Sequence, residues 1–241
     1  MTLVDHLTEL RSRIIKSIAA VALGGTVVFL LYHRLLDVMI QPYCDTLPAG
    51  EECKLFITSP LEGFAARINV ATYGGILLGS PVVLWQIWRF VTPGLEQREK
   101  RYAVPFVLSS VLLFVGGTAL GFVTFPKALE FLIGIAGSDV ETIFSPARYL
   151  SFLLKVLLAF GLVFEFPVLL VFLQLVGVLS PATLRRQRRM AIVVMTVVAA
   201  VVTPSQDPYT MLAMAIPMCL FYEISILIGW FMTRSGARSR S

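Results

Sequence analysis

Long apolar runs separated by short polar stretches occupy most of this 241-residue chain. Six runs, at about 14–32, 66–90, 103–125, 149–176, 190–203 and 209–232, are candidates for helices that cross a bilayer, which takes roughly 17–25 apolar residues. They predict an all-α integral membrane protein of six transmembrane helices, with residues 1–241 forming a single membrane domain. The fifth run is short. From Met190 to Val202 it covers only about 20 Å at 1.5 Å per residue, against a hydrocarbon core of about 30 Å. Either the bilayer thins there or Arg188 and Arg189 snorkel. Ahead of the first run, Leu3, Leu7, Leu10 and Ile14 recur at helical spacing, while Asp5, Glu9, Ser12 and Arg13 face elsewhere. That pattern predicts a short amphipathic helix on the inner membrane surface that runs into the first span. Leu35 to Tyr43 predicts a second interfacial helix on the outer side, and Ser59-Pro60 a turn into the second span.

Composition agrees: 57% of the residues are hydrophobic and 15% charged, and no soluble domain fits between the runs. The first residues are too charged for the apolar core of a signal peptide, so the first run is expected to be retained. Charge fixes the orientation. Fourteen of the twenty Lys and Arg fall on the side that holds the N-terminus, the 91–101 loop, the 177–189 loop and the C-terminal tail. The opposite loops hold Arg34, Lys54, Lys127 and Arg148, and Arg67 and Lys155 fall inside spans. The positive-inside rule then predicts both termini in the cytoplasm. This asymmetry accounts for the net charge of +5 and removes any need for a nucleic-acid partner.

Cys44 and Cys53 lie in the first outer loop with eight residues between them. A disulfide in an oxidising exterior is one reading, two free thiols the other. Neither His6 nor His33 joins them in a metal site, and no metal or other cofactor is expected. The chain shows no nucleophile–base signature and no phosphate-binding Gly-rich loop, so it is not expected to be an enzyme.

Two features suggest a moving part. Pro81, Pro105, Pro167 and Pro217 fall within or at the borders of spans, where each removes a backbone hydrogen bond and bends its helix; bent helices make a curved wall with a concave surface. Glu165 sits near the middle of the apolar run Tyr149 to Val176. A carboxylate at such depth costs on the order of 2.5–3.5 kcal/mol by insertion scales, which calls for a partner, a proton or a water-filled cavity. On the inner side, Glu9 and Glu99 stand among many bases, with Glu96 near Glu99. Such carboxylates can receive guanidinium groups from a ligand. Spacing alone favours local pairing instead, Glu9 with Arg13 at i, i+4 and Glu99 with its basic neighbours.

Four blocks change that balance. HLTELRSR (His6 to Arg13), FVTPGLEQREKR (Phe90 to Arg101), FEFP (Phe164 to Pro167) and TPSQDPYTMLAMAIPMCLFYE (Thr203 to Glu223) resemble the TatC family, whose members are the large subunit of the twin-arginine protein translocase. The blocks are spread in order over nearly the whole chain. The resemblance implies a glove-like bundle that recognises signal peptides bearing two consecutive arginines and exports folded proteins across the cytoplasmic membrane, using the proton-motive force. It implies that Glu9 and Glu99 receive those arginines, with Phe90, Pro93, Leu95 and Arg11 around them. Glu165 becomes an intramembrane acid on the concave side, meeting a partner's polar group or taking up a proton. Thr203 and Asp207 mark the region where small single-span subunits of the TatA and TatB types dock. Precursor proteins, membrane lipid and further copies of the chain complete the expected partners. The chain departs from the family in three places: Glu96 stands where many relatives carry Tyr, Ser205-Gln206 makes the turn before Asp207 one residue longer, and a polar residue that some members use for partner contact in the sixth span falls on an apolar position near Met211, so that role is not carried over. A proton-coupled small-molecule transporter using Glu165 as relay is the main alternative, and a lipid-modifying membrane enzyme a distant third.

Overall fold

The computed structural model describes residues 3–46, 53–57, 59–91, 103–137, 144–205 and 207–238. Among these there are nine helices and no strands: α1 (Leu3–Leu30), α2 (Tyr32–Cys44), α3 (Glu62–Val91), α4 (Ala103–Ala136), α5 (Pro146–Val163), α6 (Phe166–Leu175), α7 (Pro181–Arg186), α8 (Arg188–Val202) and α9 (Pro208–Arg238). Five segments are long and apolar enough to cross a membrane: Val4–Leu30, Glu62–Val91, Val104–Ile135, Pro146–Leu175 and Pro208–Phe231. The expected fifth span is α8, whose 15 residues reach about 22 Å.

α5 is the centre of the bundle. Leu150, Leu153, Val156 and Phe160 are fully buried, and half of the best apolar window in this span lies inside the protein. Small residues let its neighbours approach. A Cβ on Gly117 of α4 would stand 2.7 Å from the Phe160 carbonyl oxygen of α5. α1 lies along α3 in the same manner: a Cβ on Gly75 would stand 2.7 Å from the Gly25 nitrogen and 2.8 Å from the Val21 carbonyl oxygen. Helix pairs in lipid gain little from the hydrophobic effect, so such backbone-close packing is a main source of their cohesion.

Several expectations change in detail. The amphipathic start and the first span form one continuous helix, because nothing in residues 3–30 breaks the backbone ladder. The third span runs on past residue 125. Pro126 is accommodated inside α4, and Lys127, expected in an outer loop, pairs on the helix surface with Glu130 at 2.9 Å. Pro105 makes no kink, since it occupies the first turn of α4, where a backbone N–H has no intrahelical acceptor anyway. Pro81 and Pro217 lie inside α3 and α9 without ending them. Pro167 has the largest effect. The fourth apolar run breaks at Phe164 and Glu165 into α5 and α6, with Pro167 in the first turn of α6.

The end of the bundle that holds Cys44 and the start of α5 is tied together at several points. Cys44 and Cys53 are joined by a disulfide. Phe56 donates its N–H to the Phe144 carbonyl at 3.0 Å, and Ser145 bonds to the Glu62 carboxylate. Tyr149 donates to the Met39 carbonyl at 2.9 Å. Arg67 bridges from α3 to the end of α1, donating to the Phe29 carbonyl at 3.0 Å with its guanidinium 4.1 Å from the Phe29 ring centre.

Candidate functional site

At the N-terminal end of α1 the sequence places a carboxylate, and the last turns of α3 hold it. His6 stacks on Phe90 with ring centres 4.5 Å apart. Glu9 accepts from Arg13 at 2.8 Å, the i, i+4 pair that spacing alone favoured. Arg13 also donates to the Oε1 of Gln86 at 3.2 Å, and Gln86 is buried. Arg13 thus positions Glu9 against α3, and Glu9 keeps its second oxygen and a partly exposed side chain. Arg11 is exposed on the same turn. Glu99, Pro93 and Leu95 lie outside the described residues.

Two residues before Phe90, Trp88 points the other way. Its indole N–H donates to Ser110 of α4 at 2.8 Å. Ser110 is fully buried, and the Glu165 carboxyl group lies beside it. Trp88 stacks on Phe106 at 4.9 Å, and Phe172 of α6 meets it edge-on at 5.2 Å. Glu165 itself stands at the break between α5 and α6. Its amide bonds back only three residues, to the Leu162 carbonyl, and its carbonyl accepts from Leu169. Its Oε1 is buried with no hydrogen-bond partner among the described residues. On the far side of Pro167 an apolar cavity of about 440 Å³ opens between α4, α6 and α9, bordered by Phe106, Val168, Phe221 and Ser225. An acceptor atom left over beside a helix break is chemically suited to a donor from outside this chain, or to a proton.

Thr203 and Asp207 form the turn from α8 to α9, and both are buried. Thr203 donates back to the Ala199 carbonyl at 2.8 Å. Asp207 caps α9: its Oδ1 accepts the Thr210 N–H at 2.8 Å and its Oδ2 the Thr210 hydroxyl. The polar atoms of this turn are largely satisfied from within, so the local job of Asp207 is to start a helix behind Pro208. Glu223 accepts from Arg188. Gln174 donates to the Ser225 carbonyl at 3.0 Å, and Tyr222 to the Leu184 carbonyl at 2.8 Å, which ties α6, α7, α8 and α9 together.

Sequence reasoning did not single out Trp88, Ser110, Gln86 or His6 as members of these clusters. Trp and Gln at the end of an apolar run look like ordinary interfacial residues. One signal was available: 86, 88 and 90 alternate in character, so that Gln86 and Phe90 share one face of α3 while Trp88 takes the opposite one.

With five described helical segments long and apolar enough to cross a membrane, and with polar side chains built into the contacts between helices, the molecule is a multi-pass helical membrane protein. The model of the family described as Sec-independent protein translocase protein (TatC) matches residues 5–217, and the chain belongs to that family. It is 40% identical to the Sec-independent protein translocase protein TatC of Frankia casuarinae, over 99% of this chain and 68% of that one. It is 37% identical to that of Koribacter versatilis, over 100% and 89%, and 38% identical to that of Aquifex aeolicus, over 97% of each. A crystal structure of the twin-arginine translocase receptor TatC is similar at a TM-score of 0.76 and 38% identity, covering 95% of this chain and 99% of that one. The chain is therefore a membrane component of a protein translocase and not an enzyme.

Proposed function

We propose that this chain is the signal-peptide receptor and core subunit of a twin-arginine translocase, exporting folded proteins across the cytoplasmic membrane at the expense of the proton-motive force. Membership of the TatC family over nearly the whole chain carries this reading. The charge asymmetry of the sequence supports an arrangement with both termini in the cytoplasm. The arginines of a signal peptide then stay at the inner surface, received by Glu9 and Glu99, with Arg11, Phe90, Pro93 and Leu95 shaping the surroundings. The geometry at Glu9 is compatible with this role, since Arg13 already demonstrates that its carboxylate takes a guanidinium at 2.8 Å. The apolar part of the peptide inserts beside the bundle, and TatA- and TatB-type subunits dock near Thr203 and Asp207. Several copies of the chain assemble in the complex. Glu165 acts as a docking and switching group for a partner's polar side chain or a proton.

Binding of a labelled twin-arginine signal peptide to the purified chain tests the proposal, beside a twin-lysine peptide and a Glu9→Ala, Glu99→Ala double variant. Lysine keeps the charge and loses the fork, so it isolates bidentate recognition. A preference for arginine that the double variant loses is the expected result. Equal binding in all combinations would reduce both acids to surface charges.

A further inference from the structure

Arg148, Ser151 and Lys155 occupy positions i, i+3 and i+7 of α5, so they form one stripe along its surface. Arg148 and Lys155 are exposed, and neither side-chain cation has an ion-pair or hydrogen-bond partner among the described residues. Ser151 accepts the amide N–H of Asn69 from α3 at 2.9 Å, which leaves its own O–H to donate elsewhere. The neighbouring polar groups are already engaged. Of the acids near the start of α5, Glu62 is bonded to Ser145 and Asp45 faces Tyr149, while Arg67 is held at the Phe29 carbonyl.

Depth and direction say what the stripe fits. Lys155 is nine residues into α5, about 13–14 Å from the helix start, where an ammonium in hydrocarbon is costly unless it reaches the interface or an anion. Helical side chains lean toward the helix N-terminus, so the Lys155 stem leads toward Arg148, about 10.5 Å away along the axis. The Lys155 ammonium therefore comes up toward the level of the Ser151 hydroxyl, and the long, exposed Arg148 side chain closes the remaining distance by folding back along the same stripe. A phosphate has several acceptor oxygens for three donors on one stripe, whereas a carboxylate from a partner helix has two. We propose that Arg148, Ser151 and Lys155 bind the phosphate of a phospholipid headgroup. The leaflet is the outer one on the orientation proposed above; the site itself does not depend on that orientation.

The full chain, purified in detergent, is titrated with phosphatidylglycerol, and bound lipid is counted by native mass spectrometry. Diacylglycerol with the same acyl chains and inorganic phosphate serve as separate arms. Phosphatidylglycerol is expected to bind more tightly than diacylglycerol. Lys155→Gln and Arg148→Gln are each expected to weaken it about fivefold. Lys155→Arg and the control Lys127→Gln should leave it unchanged. Equal binding of the phosphate-free lipid, or unchanged affinity in both Gln variants, would overturn the proposal. Competition by inorganic phosphate at matching concentration would assign the stripe to the free ion, and displacement by a transmembrane peptide bearing Glu but not by its Gln counterpart would assign it to a partner helix; either result also overturns it. None of these substitutions touches Glu9, Glu99 or Glu165, so failure here leaves the receptor reading standing.

Discussion

Trp88 and Glu165 meet at Ser110: its hydroxyl accepts the indole N–H at 2.8 Å, and the Glu165 carboxyl group lies beside it. The same two turns of α3 carry Gln86 and Phe90, which contact Arg13 and His6 of α1. The end of α3 is thus common to the acid near the start of α1 and to the acid inside the bundle.

Trp88→Phe keeps the aromatic contacts and removes the donor. The loss of this buried bond is expected to cost about 1–2 kcal/mol, and Ser110→Ala a similar amount. Because the two share one bond, the double variant should lose less than the sum of the singles. Denaturant unfolding in micelles, followed by helical circular dichroism, measures all three.

Glu165→Gln preserves the volume and most hydrogen-bonding capacity and removes ionisation. Transport and co-purification of TatA- and TatB-type subunits are expected to fall, while the melting temperature stays near that of the parent. Export at the parental rate with intact partner association would end the switching role.

Gly75→Val puts side-chain atoms where the backbone of Gly25 and Val21 already stands. Overpacking of this kind costs typically 1–3 kcal/mol and is expected to loosen α1 from α3. Gly116→Ala is the matched control, since a Cβ there meets nothing within 4 Å. Thermal melts of the two variants in one detergent make the comparison.

Replacing Cys44 and Cys53 together by Ser releases the outer loop from the end of α2. On the loop-entropy model the loss is about 2–3 kcal/mol. A reducing agent should lower the melting temperature of the parent toward that of the variant and leave the variant unaffected. A parent insensitive to reduction would show that the two thiols are not joined.

Five of the six expected runs reappear as helices long and apolar enough to cross a membrane, because length and hydrophobicity set them almost without regard to tertiary context, and the short fifth run forms the 15-residue α8. The break at Glu165 was only half legible. Pro167 announced a bend, but whether the helix bends or separates depends on how the backbone groups around it are bonded, and here the Glu165 amide turns to the Leu162 carbonyl three residues back. The extension of α4 past Pro126 was hidden as well: Phe125, Ala128 and Leu129 are buried, and their packing outweighs one lost backbone bond. Near the start of α1 the spacing of Glu9 and Arg13 foretold their pairing, while Gln86 lies 73 positions from Arg13 and no local pattern connects them. Asp207 illustrates the opposite case. The sequence Asp-Pro-x-Thr states a helix cap, and the capping bonds are made as that chemistry requires.

The glycine contact between α1 and α3 has a mechanical consequence. Backbones lie close at Gly25 and Gly75 and again at Gly25 and Ala71 and at Gly79 and Val21, so α1 and α3 are joined along about two turns with no cushion of side chains. The ends of the pair are clamped as well, by the contacts of Gln86 and Phe90 with Arg13 and His6 and by Arg67 on the Phe29 carbonyl. A load applied at Glu9 is therefore carried by α1 and α3 together, as by one stiff beam.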